Sequence, residues 1–486
     1  MPVDEGAPAA EISPSHGAEL PRGLESVPRS RFLEGRFGRL FRLLPPFEPP
    51  DDLLIELGAA GGPMVETTAR GQDNPPLPAG FTYLGQFIDH DITFDPTSSF
   101  GRQHDPDGLQ NFRTPRFDLD CLYLSGPKAS PYLFDSRAPT KFLLGRNQAQ
   151  ELDLPRNTQQ VALIGDPRND ENIVVSQLHA GFLSFHNAVV AHLTAKPANR
   201  ERHGLPGESL FDTAQRLVRW HYQWVVLHDF LPRIVGQATV NARVTKDSAG
   251  RFTIALDHYQ PEEEAFIPVE FAVAAYRFGH SMIRPRYNLN EVIVANIFGK
   301  PGDGPLSHLG GGRRLPVAWQ AGWDFFFKFP RRRTPQPSRK INGKLARQLF
   351  ALPSTVVASP RPELHSLAVR NLLRGKVLGL PSGQAVATAI GATPLTNAQL
   401  GLTAAGWTDQ APLWFYILKE AARAPRSGKR LGPVGGTIVA EVLLGLVKED
   451  STSFVNADTP WKPLRPIAPE AGKFGIVDLL RFAGVA

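Results

Sequence analysis

The sequence predicts a mainly α fold with long irregular loops and few strands. Residues 173–193 and 210–234 place apolar side chains at helical spacing, the second stretch through Leu217, Trp220, Trp224, Leu227 and Leu231. Runs alternating apolar with polar residues, the mark of half-buried strands, are few, and no internal repeat is found. Gly 44 and Pro 45 among 486 residues exceed ordinary usage, so long connections are expected between helices.

A hydrophobic share of 42% with 21% charged residues suits a globular chain with a sizeable core. The single cysteine, Cys121, excludes an intramolecular disulfide, so the fold must stand on its core, its bound ligands, or both. A net charge of +6 permits attraction to anions, and residues 330–340 concentrate it in Arg331, Arg332, Arg333, Arg339 and Lys340. No aromatic or groove-reading partner accompanies that run, which reads as a solvated loop; nucleic-acid binding is the weakest function class. The N-terminus lacks the basic start and apolar core of a secretory signal. No window reaches the roughly 18 apolar residues of a membrane span. A cytoplasmic location is the default expectation, with export by a non-classical route left open.

Residues 1–30, rich in Pro, Gly, Ala and charge, read as a disordered or extended arm ahead of a domain spanning 31–486. Residues 31–44 carry spaced Phe and Leu and read as a short helix. After a Gly- and Pro-rich stretch over 58–80 comes a helix containing Gly85-Gln86-Phe87-Ile88-Asp89-His90-Asp91-Ile92-Thr93-Phe94, with Pro96 as its stop. Residues 101–110 form a polar loop. Residues 165–172 read as a turn into the long amphipathic helix of 173–193, capped by Asn172 or Asp170. His179 with His186, and His221 with His228, stand seven residues apart on shared helix faces. About 10 Å of rise separates the members of each pair, too far for one metal, so structural roles are expected for all four. Residues 271–282 read as another buried helix, 297–341 as loop around Gly310-Gly311-Gly312, and 367–375, 413–422 and 436–446 as further helices.

On a helix Gln86 and His90 lie one turn apart on one face, while Asp89 and Asp91 flank the histidine. Apolar Phe87 and Ile88 between them imply burial, and clustered buried polar groups are costly unless each has a partner. A functional site and a histidine satisfied by its neighbours are equally open readings of this window. Thr114, Asp118 and Asp120 alternate with other residues in Thr114-Pro115-Arg116-Phe117-Asp118-Leu119-Asp120. Alternate oxygen side chains on an extended loop can wrap a hard cation such as calcium; an Asx-rich turn looks the same.

These segments coincide with one family. GQFIDHD, TPRFDLDCLY, GDPRNDE before LHAGFLSFHN, YRFGHSMIRP and LAVRNLLRGKVLGLP resemble, in order and spacing, the animal-type haem peroxidases of the peroxidase-cyclooxygenase superfamily, over roughly 62–460. The resemblance implies a single large haem peroxidase domain. By position it makes His90 the distal histidine, Gln86 the distal glutamine, Arg168 the catalytic arginine, His280 the proximal iron ligand and Asn371 the residue that orients that ligand through its side-chain oxygen. It makes Asp89 and Glu171 the carboxylates that can become ester-linked to haem b. Asp91, Thr114, Asp118 and Asp120, with the backbone carbonyl of Arg116, become calcium ligands; Arg277 and Arg374 lie near the haem propionates.

The implied activity is oxidation of small electron donors, phenols or halide or pseudohalide ions, by hydrogen peroxide through a high-valent haem. The donor and the oligomeric state are left open. The alternatives are a haem-dependent fatty-acid dioxygenase of the same superfamily and a haem-binding protein without turnover. Against the dioxygenase, the radical-forming tyrosine of those branches lies three residues before the proximal histidine, where this chain has Arg277; Tyr276 is one residue off and is expected to pack. Asp120 replaces a frequent serine and still supplies oxygen. Asn172 stands where one mammalian branch has a methionine linked to the haem vinyl, which excludes that bond here.

Overall fold

The computed structural model describes residues 35–94, 110–111, 113–262, 264–299, 302–353, 356–357, 359–403 and 406–486. The N-terminal arm, Pro96 and nearly all of the 101–110 loop lie outside them.

Strand β1 (Gly35–Gly38) replaces the helix expected over 31–44. It pairs antiparallel with a strand at Gln110–Asn111 and parallel with one at Ile267–Pro268. The spaced Phe37, Leu40 and Phe41 look helical in sequence, but glycines at both ends of the strand disfavour a helix. The next turn is then held from outside: the buried Glu270 carboxylate accepts from Leu40 N (3.0 Å) and Phe41 N (3.1 Å). Strand β2 (Asp73–Pro78) pairs with β3 (Pro337–Arg339), and the remaining strands are short two-stranded ribbons. The fold is mainly α, as composition and periodicity predicted.

Helix α1 (Gly80–Ile92) starts where Gly80 lies too close to Phe327 for any side chain; a Cβ there would stand 2.5 Å from the Phe327 ring. Phe81, Leu84, Phe87, Ile88 and Ile92 are all buried, while Thr82, Gln86 and Asp89 keep partial exposure. That open stripe on a helix otherwise inside the protein marks accessible space beside it. Phe87 stacks on Phe182 (ring centroids 4.6 Å apart, planes 6° apart) and so docks α1 on α2 (Ile173–Ala195).

Asn172 caps α2, its side-chain oxygen accepting from Val174 N at 2.9 Å. Asp170 instead pairs with Arg156. The sequence suggested an amphipathic α2 and no stretch apolar enough to span a membrane; α2 is in fact long and apolar enough by composition, because the structure buries it nearly all round, with 89% of its most apolar window inside the protein. Helix α3 (Leu210–Val225) continues through a wide turn at Val226–Phe230 into Leu231–Val235 and packs along α2.

The buried helix expected over 271–282 is present but irregular. It is wound wide, as a π-helix, over Glu270–Ala275 and tight, as a 3-10 helix, over Tyr276–Met282. Such departures from α geometry recur at functional sites. The result turns Tyr276, Phe278, Ser281 and Met282 inward and leaves Arg277, Gly279 and His280 partly exposed. This segment lies against α1 and against α4 (Leu367–Val377), α5 (Leu413–Ala422) and α6 (Pro433–Glu449). The basic run at 331–340 is tied into the surface: Arg333 pairs with Asp324 and Glu291, and Arg339 with Glu66 and Asp73.

Candidate active site

Two walls carry the predicted residues. Gln86, Asp89 and His90 lie on α1, with Arg168 and Glu171 beside them on the turn that precedes α2; Arg277 and His280 lie on the irregular segment, with Asn371 and Arg374 on α4. The walls touch through Tyr276, whose buried hydroxyl donates to the Gly85 carbonyl at 3.2 Å.

His90 Nδ1 stands 2.8 Å from the Asn169 side-chain oxygen. Burial and the Arg168 guanidinium push its pKa down to about 3, so the ring is neutral. Arg168 is held by Asp166: Nε bonds Oδ1 at 3.1 Å and Nη2 bonds Oδ2 at 2.7 Å, while Nη2 also donates to the His90 carbonyl at 3.0 Å and to the Thr93 carbonyl. Its charge sits 4.6 Å over the Phe94 ring. Asp166 is fully buried, accepts from Arg113 as well, and is held far below the usual carboxylate range, burial notwithstanding, chiefly by Arg168. Asp89 is raised by burial against the lowering pull of Arg168 and Arg277. Glu171 is open to solvent-accessible space, yet the atoms crowded round its carboxyl still raise it.

The triple glycine is explained here. Gly311 N donates to the Glu171 carbonyl at 2.9 Å, and a Cβ on Gly311 would lie 1.8 Å from the Asp170 carbonyl oxygen. Only glycine lets this loop clamp the Arg168–Glu171 turn so closely.

On the second wall, burial followed by Arg277 pushes His280 down to about 3, leaving a neutral imidazole. The expected contact with Asn371 is present but turned round. The Asn371 amide nitrogen faces His280 Nδ1 at 2.8 Å, and its oxygen accepts from Arg277 Nη1 at 2.7 Å. A guanidinium only donates, so it captures the oxygen and leaves the nitrogen to the ring. Trp414 on α5 backs this wall, its indole N–H donating to the Arg277 carbonyl at 3.1 Å. Arg374, one turn beyond Asn371, is near enough to lower the pKa of Arg277.

Beside His90, carboxylate oxygens of Asp91, Asp118 and Asp120 lie within 4.8 Å of one another. Thr114 donates to Asp118 at 2.7 Å, and Arg116 lies in the same turn. Asp91 Oδ1 and Asp120 Oδ1 are buried without a hydrogen-bond partner among the described residues. Burial and mutual repulsion raise Asp91 strongly and push Asp120 up to about 8. Leu119 holds a left-handed backbone (φ 57°) to bring Asp118 and Asp120 round.

Sequence reasoning missed Asp166, Arg113, Asn169 and Trp414. The Asp166-Pro167 pair carried a signal, since Asp166 caps its own turn by accepting from Arg168 N at 2.9 Å. Three of the four paired histidines have the expected structural bonds: His186 to Tyr123 and Thr140, His221 to the Leu217 carbonyl, His228 to the Trp224 carbonyl. His179 differs, standing 3.0 Å from the Asn169 amide nitrogen.

The sequence profile of the animal haem peroxidase family matches residues 133–399. A peroxidasin homologue of Caenorhabditis elegans is 27% identical over 225 residues, 45% of this chain and 15% of that protein. Drosophila melanogaster peroxidasin is 25% identical over 238 residues, 47% of this chain and 14% of that protein. The chain thus spans only about a seventh of the length of these relatives. Among solved structures, peroxidase A of Dictyostelium discoideum superposes with TM-score 0.59 at 16% identity, covering 88% of this chain and 91% of that one. A fatty acid α-dioxygenase of Arabidopsis thaliana gives 0.55 at 14% identity over 90% and 75%. With more than half its length matched by the family profile, the chain belongs to the animal haem peroxidase family.

Proposed function

We propose that the protein is a hydrogen-peroxide-dependent haem peroxidase acting on small electron donors, phenols or halide or pseudohalide ions. The observation that carries this is the wall His90, Arg168 and Gln86: haem retention needs only the other wall, whereas a neutral imidazole beside a fixed guanidinium is the equipment for splitting a peroxide. The residues fit a haem. His280 is an uncharged imidazole, Arg277 and Arg374 supply cations for propionates, and at Gly279, next to His280, a Cβ would meet nothing within 4 Å. His280 would hold the haem iron, with Arg277 and Arg374 as cations for its propionates; Asn371 would orient His280 through its oxygen if Arg277, which now donates to that oxygen, turned away.

When bound, the haem supplies the redox equivalents. The chain's part is proton and charge management. His90 takes a proton from one peroxide oxygen and returns it to the other as the O–O bond breaks. Arg168, with Nε and Nη2 engaged, has Nη1 to stabilise the negative charge that builds on the departing oxygen. Gln86 offers its amide to peroxide, water or an anionic donor.

Calcium and haem esters belong to the same proposal. The converging carboxylates of Asp91, Asp118 and Asp120 offer the negative oxygen donors that a divalent cation takes. The unpartnered oxygens of Asp91 and Asp120 suit a hard ion. The ester reading rests on Asp89 and Glu171 lying on the same wall as His90 and Arg168; release of all haem unmodified into acid-organic solvent would remove that part.

The haem absorption band, recorded before and within milliseconds of one equivalent of peroxide, tests the main reading. A fast change abolished in His90→Ala and Arg168→Ala is expected; slow bleaching alone would refute it. The dioxygenase reading, favoured only by structural neighbours, is opposed by Arg277 and by Tyr276, whose hydroxyl is committed to the Gly85 carbonyl. Oxygen uptake with unsaturated fatty acid in the absence of peroxide would revive it.

A further inference from the structure

Two buried side chains in line behind His90 have no part in the reading above. Asn169 and His179 are both fully buried, on the turn before α2 and on α2 itself. The Asn169 oxygen lies 2.8 Å from His90 Nδ1, and its amide nitrogen lies 3.0 Å from His179 Nδ1. His179 Nε2 is buried with no hydrogen-bond partner among the described residues. We propose that Asn169, oriented by His179, is a positioning residue that fixes the tautomer of His90, so that Nε2 presents a lone pair rather than an N–H to the peroxide pocket.

The argument is one of donors and acceptors. An amide oxygen only accepts, so the His90 nitrogen facing it must carry the proton. A neutral imidazole has one N–H; with that hydrogen at Nδ1, Nε2 is the base. Turning the amide over would put –NH₂ against His90 Nδ1, force the hydrogen to Nε2 and leave no base in the pocket. The structure takes the first setting, with the amide oxygen toward His90 and the nitrogen toward His179. The Asn169 nitrogen finds an acceptor in His179 Nδ1, and His179 then keeps its hydrogen on Nε2, in contact with the apolar interior, where the Phe87 ring lies edge-on at 6.1 Å. The unsatisfied Nε2–H is the cost of holding the amide in the working orientation.

This inference rests on the peroxidase reading, and its test separates the two. Holoprotein labelled with nitrogen-15 histidine is converted to the ferrous carbonyl form, which is diamagnetic, and the ring nitrogens of His90 are assigned by their loss in His90→Gln. Wild type should show a protonated Nδ1 and a bare Nε2. Asn169→Leu should shift the hydrogen wholly or partly to Nε2 and lower the second-order rate with peroxide roughly 10- to 100-fold, the usual range for a partner behind a working group, without changing the rate of donor oxidation. Asn169→Asp, which still accepts, should keep the Nδ1–H form and most of the rate. Should Asn169→Leu lose its haem, His179→Phe removes the orienting acceptor instead and should give a mixture of tautomers. An Nε2–H His90 in wild type, or an unchanged tautomer and rate in both Asn169→Leu and His179→Phe, overturns the proposal. A wild type that shows the Nδ1–H form but does not react with peroxide would overturn the peroxidase reading and leave the tautomer assignment standing.

Discussion

Glu420 gives the protein a pH dependence that a single substitution should remove. Its carboxyl is buried on α5, 6% exposed, and accepts from Val434 N through both oxygens (3.2 and 3.0 Å) at the start of α6. Burial, only partly offset by these backbone donors, pushes its pKa from 4.5 up to about 7. A group whose pKa is raised on folding binds more protons in the native state, so stability falls as pH climbs from the unfolded toward the folded value. Between pH 5 and 8 that loss amounts to roughly 2 to 3 kcal/mol. In Glu420→Gln one oxygen still accepts from Val434 N, but no proton is lost. Denaturant unfolding of wild type and variant at both pH values, in saturating calcium so that the aspartate cluster stays ionised, reads the difference. Wild type should lose about 2 to 3 kcal/mol more than the variant over that interval. Equal losses would refute the reasoning, and would mean that the buried carboxylate is fully compensated by its helix. The functional stake is Trp414, on the same helix, which holds the Arg277 carbonyl beside His280.

Chelation should lower the thermal midpoint by several degrees, since an ion at a hundredfold excess over its dissociation constant contributes about 2.7 kcal/mol. In Asp91→Ala, calorimetry should show no response to chelator; a wild type equally indifferent would dismiss the cation. Asp166→Asn leaves Arg113 and Arg168 without their shared carboxylate, and chemical unfolding should record a loss of about 3 to 5 kcal/mol, with the peroxide rate falling as Arg168 drifts. Stability within 1 kcal/mol of wild type would deny Asp166 its anchoring role. Gly311→Ala must move the loop off the Asp170 carbonyl, at about 1 to 3 kcal/mol, and unchanged stability and donor kinetics would show that the clamp yields freely.

The residues to which the proposed function gives peroxide and haem were the legible ones. His90, Gln86 and Asp89 declare themselves through helical spacing, and the family motifs place Arg168 and His280. What was not legible depends on chain segments meeting. Nothing in Arg36-Phe37-Gly38 announces a strand until the segments at Gln110 and Ile267 lie on either side of it, and a helix reading of Phe37, Leu40 and Phe41 is natural without the Glu270 carboxylate that ties the turn. The Asn371 amide was expected oxygen-first to His280. The pattern contained no hint that Arg277 competes for that oxygen, because the competition exists only once α4 meets the irregular segment. His179 was dismissed as structural on its seven-residue spacing from His186, which says where a side chain points but not that Asn169, ten residues earlier, folds back to meet it.

A cation on the aspartate cluster, as proposed, would bear on catalysis along two routes. The first is covalent: Asp91 follows His90 on α1, so an ion on Asp91 fixes the end of the helix that carries the base. The second is electrostatic. Asp120 lies 3.5 Å from Arg113, Arg113 pairs with Asp166 at 2.8 Å, and Asp166 pairs with Arg168 at 2.7 Å. Without such an ion Asp120, raised to about 8, holds a proton near neutrality and draws less on Arg113. Arg113 is then left mainly to Asp166, which must divide one charge between two guanidiniums. Arg168 becomes the weaker-held partner, because it is 20% exposed where Arg113 is 6%. Arg168, the arginine to which the proposed function gives the breaking peroxide, is therefore the member of the network whose position depends most on whether the distant carboxylates are ionised. The proposed divalent ion would keep them so.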